Sequence, residues 1–309
     1  MASKKWAMRA LLLKLETTYG ADSVPTGAAN AIKGVEIDFN PSVGGEIPLD
    51  YIVPWLGHQG VMLDGTYGTV SFSVDITGAG AAGTAPAYGP ALRACGLRQV
   101  INTGVDVQYN PISSLEESCS IRWIGDGIQH ILLGARGTFT LSMQPGQIPR
   151  IRFTMSGLVG TISDVSNPAL TLASFQPVQR VNKANTTFSL HGYDGGTEGI
   201  TMDLGGRVEP DFLINSEAIE ITDRRTTGNA TMRAAALSTV NWLAISEAET
   251  RGELVAQHGQ GAGKIFRLEA DYTQIGRVGY SQTRGFMNNT LPLMMTTGSG
   301  NDEFLITVK

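Results

Sequence analysis

The chain has 309 residues, a net charge of −5 and only 17% charged side chains, against 38 glycines. That balance excludes bulk electrostatic attraction to nucleic acid or to an anionic membrane. It favours short strands and tight turns over helices, and sparse charge also suits a protein that covers much of its surface with copies of itself.

The first segment, MASKKWAMRALLLKLETTYG, has the outline of a secretory leader, but Arg9 and Lys14 break its apolar run and no small-residue cleavage site follows. Residues 1–34 are expected to form an N-terminal arm, helical or extended over Trp6–Leu15. Val35–Phe39 alternates apolar and polar residues, which predicts a strand with Glu36 and Asp38 on its polar face. Residues 40–65 contain Pro41, Pro48 and Pro54 together with Tyr51 and Trp55. A connection that long inside a β domain is usually functional, and its aromatics argue against disorder. It is read as a loop that docks on another subunit through Asp50, Tyr51 and Trp55.

Thr69–Thr77 is the clearest strand, with Val70, Phe72, Val74 and Ile76 facing inward. A loop over 78–86 and a short helix over Tyr88–Leu97, closed by Gly96, come next. Strands are expected at 105–109 and 118–124, then a turn at Gly125-Asp126-Gly127. Residues 134–157 hold two alternating arms, 138–143 and 150–155, around Gln144-Pro145-Gly146-Gln147-Ile148-Pro149, and read as a β-hairpin with one wet and one dry face.

The pattern lapses after Ser163 and then returns. Ile200–Leu204 repeats the alternation of 35–39, with Asp203 on the polar face. Residues 205–221, including Asp211 and Phe212, take the place of the first long loop. Leu237–Ala248 is helix-like, and 265–272 with 290–296 stand for the two hairpin arms. The offset between matched elements shrinks along the chain, as expected of two copies of one fold with shorter loops in the second. The resulting division is an arm (1–34), a first β domain (35–163), a linker (164–185) and a second β domain (186–309).

No motif for catalysis stands up. Gly78-Ala79-Gly80-Ala81-Ala82-Gly83 has dinucleotide-loop spacing, but Thr84-Ala85-Pro86 follows it instead of a helix. His258–Ile265 fails as a phosphate loop at its first glycine and at the Ser/Thr position. The histidines at 58, 130, 191 and 258 have no metal-ligand spacing. The acid pairs Glu36/Asp38 and Glu269/Asp271 read as solvated strand faces rather than glycosidase carboxylates. Cys95 and Cys119 are read as reduced thiols. No stretch reaches membrane-spanning length, and the sequence is read as an intracellular product without enzyme activity or cofactor.

YGADSVPTGAANAIKGVEIDF (19–39), GTAPAYGPALRACGL (83–97), NTTFSLHGYDG (185–195) and GNDEFLITVK (300–309) resemble the major tail tube protein of long-tailed (siphovirus-type) bacteriophages. The resemblance implies an all-β fold with short flanking helices: two tandem tube-like β-sandwich or barrel folds, with long loops and terminal arms. It further implies self-assembly into stacked rings whose lumen conducts DNA during ejection, with tape measure, terminator and distal-tail proteins as partners. On that basis Glu36, Asp38 and Asp203 are candidate lumen acids, and Asp50, Tyr51, Trp55, Asp211 and Phe212 are candidate contacts between rings. Two folds per chain would let three chains form a pseudo-sixfold ring; six chains are the alternative. A distal-tail or baseplate ring protein, a contractile-injection tube and a β-sandwich carbohydrate-binding module are the other readings.

Overall fold

Period-two alternation puts one side of each strand on a core, and strands account for nearly all the regular structure. A computed structural model describes residues 3–309. In chain order the elements are β1 (Arg9–Leu15), β2 (Gly34–Pro48), β3 (Val61–Asp75), α1 (Gly89–Ala94), β4 (Leu97–Asn102), β5 (Asp106–Pro111), β6 (Cys119–Gly125), β7 (Ile128–Met143), β8 (Arg150–Val159), β9 (Ser163–Asp164), β10 (Thr186–Leu190), β11 (Thr197–Asp203), β12 (Gly206–Leu213), β13 (Ser216–Arg224), β14 (Thr227–Arg233), α2 (Trp242–Glu247), β15 (Arg251–His258), β16 (Phe266–Ile275), β17 (Gly279–Thr283), β18 (Phe286–Met295) and β19 (Leu305–Val308). The all-β expectation with two short helices holds, and the large antiparallel sheets do not close into a barrel.

One order of pairing occurs twice. In the first part of the chain it runs β1–β6–β7–β8–β3–β2, with β9 also on β7. In the second it runs β10–β15–β16–β18–β14–β11, with β19 also on β16. A helix occupies the same place in both, α1 after β3 and α2 after β14. Two joints connect the parts. The end of β7 pairs with β11 (Met143 opposite Ile200, Thr140 opposite Asp203), and β19 lies between β16 and β5. A single sheet therefore runs β2-β3-β8-β7-β11-β14-β18-β17.

The dry face of this sheet is the core. Phe72, Phe139 and Phe153 meet at its centre, with ring centroids 5.3 Å and 5.9 Å apart for the two pairs made by Phe153. Ile200, Met202, Ala230, Met232, Leu291 and Leu293 continue the same layer across the joint. Ala91, Leu92 and Ala94 of α1 and Trp242 of α2 cover it. Asn241 caps α2 by accepting from Ala244 N at 3.1 Å.

The structure corrects several expectations. Arg9–Leu15, assigned to an arm, is strand β1 with Leu11, Leu12 and Leu13 buried, because β6 offers it a full ladder; Met1 and Ala2 of that arm lie outside the described residues. Residues 40–65 are mostly a continuation of the β2–β3 hairpin, its register broken between Asn40/Val43 and Val43/Gly45. Those breaks and the prolines hid the strand pattern. Residues 206–224 are likewise a hairpin, β12–β13, rather than a loop. β4, β9, β10, β15, β17 and β19 were not anticipated. Residues 165–185 contain no strand or helix and pack on the first part of the chain, where Thr171 N donates to Gly27 O.

The two glycine-rich motifs of the sequence meet each other. Gly80 N donates to Gly263 O at 2.8 Å, and a Cβ on Gly78 would strike the Gly263 carbonyl. Their glycines therefore serve a close backbone crossing.

Two outcomes follow from this core. Phe153→Ala should lower unfolding free energy by about 3–5 kcal/mol in denaturant titration. Burial holds the His258 imidazole below its ordinary pKa of 6.5, so the unfolded chain takes up that proton more readily. The stabilisation is complete above about pH 6.5 and lost as pH falls from there towards the folded value. A Tm–pH series should show this decline, and His258→Gln should reduce it; the remainder comes from His130, whose imidazole pKa burial also lowers, and the loss below about pH 4 that carboxylates cause stays.

Candidate functional site

The wet face of the long sheet is built in rows, because residues directly opposite in an antiparallel ladder share a face. One row reads Asp75, Arg150, Ser142, Thr201, Asn229 and Pro292 across β3, β8, β7, β11, β14 and β18. The next reads Val35, Ser73, Arg152, Thr140, Asp203, Thr227 and Met294. A third holds Asp38, Ser71, Thr154 and Thr138. Short hydroxyl side chains are the commonest type, and the first two rows cross from one part of the chain to the other without a break.

Glu36, Asp38 and Asp203, picked from strand polarity alone, lie together on this face. Glu36 sits at a bulge in β2 with φ +54°, which turns its carboxylate over the sheet. There it meets Arg150 at 3.3 Å and Arg152 at 3.9 Å, and accepts from Ser73 Oγ at 3.2 Å. Asp75 holds Arg150 Nε at 3.0 Å. Asp203 accepts from Gly205 N at 2.8 Å. Four carboxylates thus share this face with two guanidinium groups; Arg150 is bonded to both Asp75 and Glu36, and Arg152 stands near Glu36. Arg150 and Arg152 were not singled out in advance, although their alternation with Ile151 and Phe153 marks them for the wet side.

The two hairpin arms leave the sheet at one end, opposite the β7–β8 turn. Residues 49–60 close the first arm. Tyr51 and Trp55 are exposed there, and Ile52 and Leu56 are more so, with their entire surface open. Backbone bonds order this tip: Leu49 N donates to Gly60 O at 3.1 Å, and Gln59 Nε2 to Tyr51 O at 2.9 Å. Periodicity could not identify Ile52 and Leu56, because the tip has none.

Asp211 and Phe212 lie on the second arm and behave differently. Asp211 is exposed. Phe212 packs over Gly65, with its ring 6.4 Å from that of Tyr67, so it clasps the two arms together; Leu213 and Ile214 form the exposed tip. At its base the second arm is held by Arg136, which donates to Ile219 O at 2.9 Å and to Glu116 O at 3.1 Å and pairs with Glu220. The Arg136 guanidinium also stacks 5.0 Å from the Tyr19 ring, whose hydroxyl accepts from Ile219 N at 2.6 Å. Burial raises the Tyr19 pKa above its ordinary 10, so the phenol keeps its proton.

Among the described residues no three His, Cys, Asp or Glu side chains are placed to hold a metal ion. Cys95 and Cys119 are free and buried, and burial pushes both thiols up. None of the described helices is long and apolar enough to cross a membrane. A search of the curated proteins found no match. A family model described as "Phage tail tube protein" matches residues 6–301.

The exposed charges and the buried one should respond differently to substitution. Glu36→Gln should change stability by less than about 1 kcal/mol, since its side chain is 61% exposed. Arg136→Ala should cost about 1–3 kcal/mol for each buried acceptor left without a donor. Parallel urea titrations would check both.

Proposed function

We propose that this chain, which belongs to the phage tail tube protein family, builds its tube from two tandem tube-like units, 35–163 and 186–309, joined by 164–185. Family membership makes the role structural and places the protein in the virion tail. Three chains then close a pseudo-sixfold ring, with a ring of six chains as the alternative. Rings stack through the arm tips, and the wet face lines a lumen through which DNA leaves during ejection. The chain has no catalytic task. It is assembled in the host cytoplasm of a siphovirus-type phage, alongside tape measure, terminator and distal-tail proteins.

The observation that carries this reading is the β7–β11 joint, which fuses two equivalently paired sets of strands into one sheet with a single polar face. A lumen wall must let a polyanion pass without holding it. Hydroxyl rows interrupted by more carboxylates than guanidiniums, the latter tied to Glu36 and Asp75, meet that need, because free Lys or Arg would bind phosphates by counterion release. The exposed apolar tips at Ile52, Trp55, Leu56, Leu213 and Ile214 suit contacts between rings, since exposed apolar patches mark interaction surfaces.

Cryo-EM of the concentrated protein tests the reading: stacked hollow rings with six lobes and a three-chain native mass are expected. Six chains per ring would remove the tandem units as the basis of symmetry. Single rings that never stack would favour a distal-tail or baseplate role. Leu56→Ser with Ile52→Ser should leave the unfolding free energy unchanged within about 0.5 kcal/mol while shortening or abolishing the stacks.

A further inference from the structure

Two buried polar atoms line one small cavity at the seam between the two parts of the chain. His258 ends β15 with only 2% of its surface exposed. Its Nδ1 lies 2.8 Å from Thr186 Oγ1, but its Nε2 has no hydrogen-bond partner. Gln179 Oε1 is shut off from solvent and is likewise unpartnered. Both residues line a cavity of about 10 Å³, together with Ile76 and Gly78 just after β3, Pro177 of the linker, and Lys264.

The two glycine-rich motifs that failed as nucleotide loops both reach this place. Gly78 and Gly263 form the close backbone crossing, and Lys264 follows directly. The Gln176 side chain lies over Gly80, where a Cβ would come within 2.7 Å of it. The linker is therefore packed onto the crossing, and the cavity is the space that three separate stretches of chain enclose.

Size and chemistry select the occupant. About 10 Å³ is the least room that admits one water, and it holds nothing larger. Lys264 lines the cavity and no carboxylate does, which disfavours a cation. Buried polar groups are paired in folded proteins, often through ordered water. We infer that a single buried water sits here and bridges His258 Nε2 to Gln179 Oε1, fastening the linker to the second part of the chain.

The bridge is chemically consistent in either tautomer. The water donates one proton to Gln179 Oε1. Thr186 Oγ1 can donate to Nδ1 or accept from it. In the first case Nε2 carries the proton and the water accepts; in the second the water donates to Nε2. An ion lacks this double capacity. The site lies within one chain, so it holds whether three or six chains close a ring.

The Gln179 backbone also stands beside the ring and offers the competing arrangement, a direct bond to Nε2. A density map fine enough to show ordered waters separates the two, together with the Tm of Gln179→Met. A solvent peak within hydrogen-bond distance of both Nε2 and Gln179 Oε1 is expected. The variant should lower the Tm by roughly 2–4 °C, because it takes one leg from a satisfied bridge. A ring bonded straight to the Gln179 backbone, with no solvent peak, would overturn the inference. So would a Tm that is unchanged or higher in Gln179→Met, since removing an acceptor that was never paired costs nothing.

Discussion

The structure depends on one strand having neighbours along both sides. β7 runs for 16 residues. Its first part is held between β6 and β8, and its last part between β8 and β11. Together with β19, which pairs with β16 and β5, it ties the two parts of the chain together. Antiparallel pairing serves its backbone on both sides over 128–135 and 140–143, and between them Leu204 N donates to Phe139 O at 3.0 Å, where the core passes from Phe139 to Met202. Since residues opposite each other share a face, the joint also fixes which side chains lie together on the wet surface. Asp203 stands beside Thr140 for that reason alone.

The arms illustrate a second constraint. A hairpin that leaves a sheet has only one packed side, and two-stranded ribbons are marginal by themselves. Here each arm stabilises the other. Phe212 rests on Gly65, where a Cβ would come within 2.8 Å of the ring, and Arg136 anchors the base of the second arm. The buried guanidinium is acceptable because carbonyls, a carboxylate and an aromatic face surround it. The arms are therefore ordered projections, and their apolar tips are presented in fixed positions.

Much of this was legible in the sequence wherever alternation was uninterrupted. The strands around Val70–Ile76, Phe139–Met143, Ile151–Met155 and Ile200–Leu204 could be read directly, and with them the polar-face acids Glu36, Asp38 and Asp203. Gly96, with φ +79°, ended α1 where a left-handed residue was required. What could not be read were features set by tertiary partners. β1 resembled an arm because its three consecutive leucines do not alternate; the main core on one face, which takes Leu11 and Leu13, and a second apolar cluster on the other, which takes Leu12, explain them. The hairpin within 40–65 was hidden by bulges and prolines. Phe212 looked like an external contact because no local signal reports that Gly65 lies beneath it.

The β7–β11 joint has a further consequence, which concerns reaction order. Its two strands belong to one polypeptide, so the joint forms unimolecularly, at a rate independent of protein concentration, and without the loss of translational and rotational freedom that separate chains incur on association. Dilution weakens contacts between copies by mass action but leaves this one intact. This joint is thus exempt from the concentration threshold that governs contacts between separate chains.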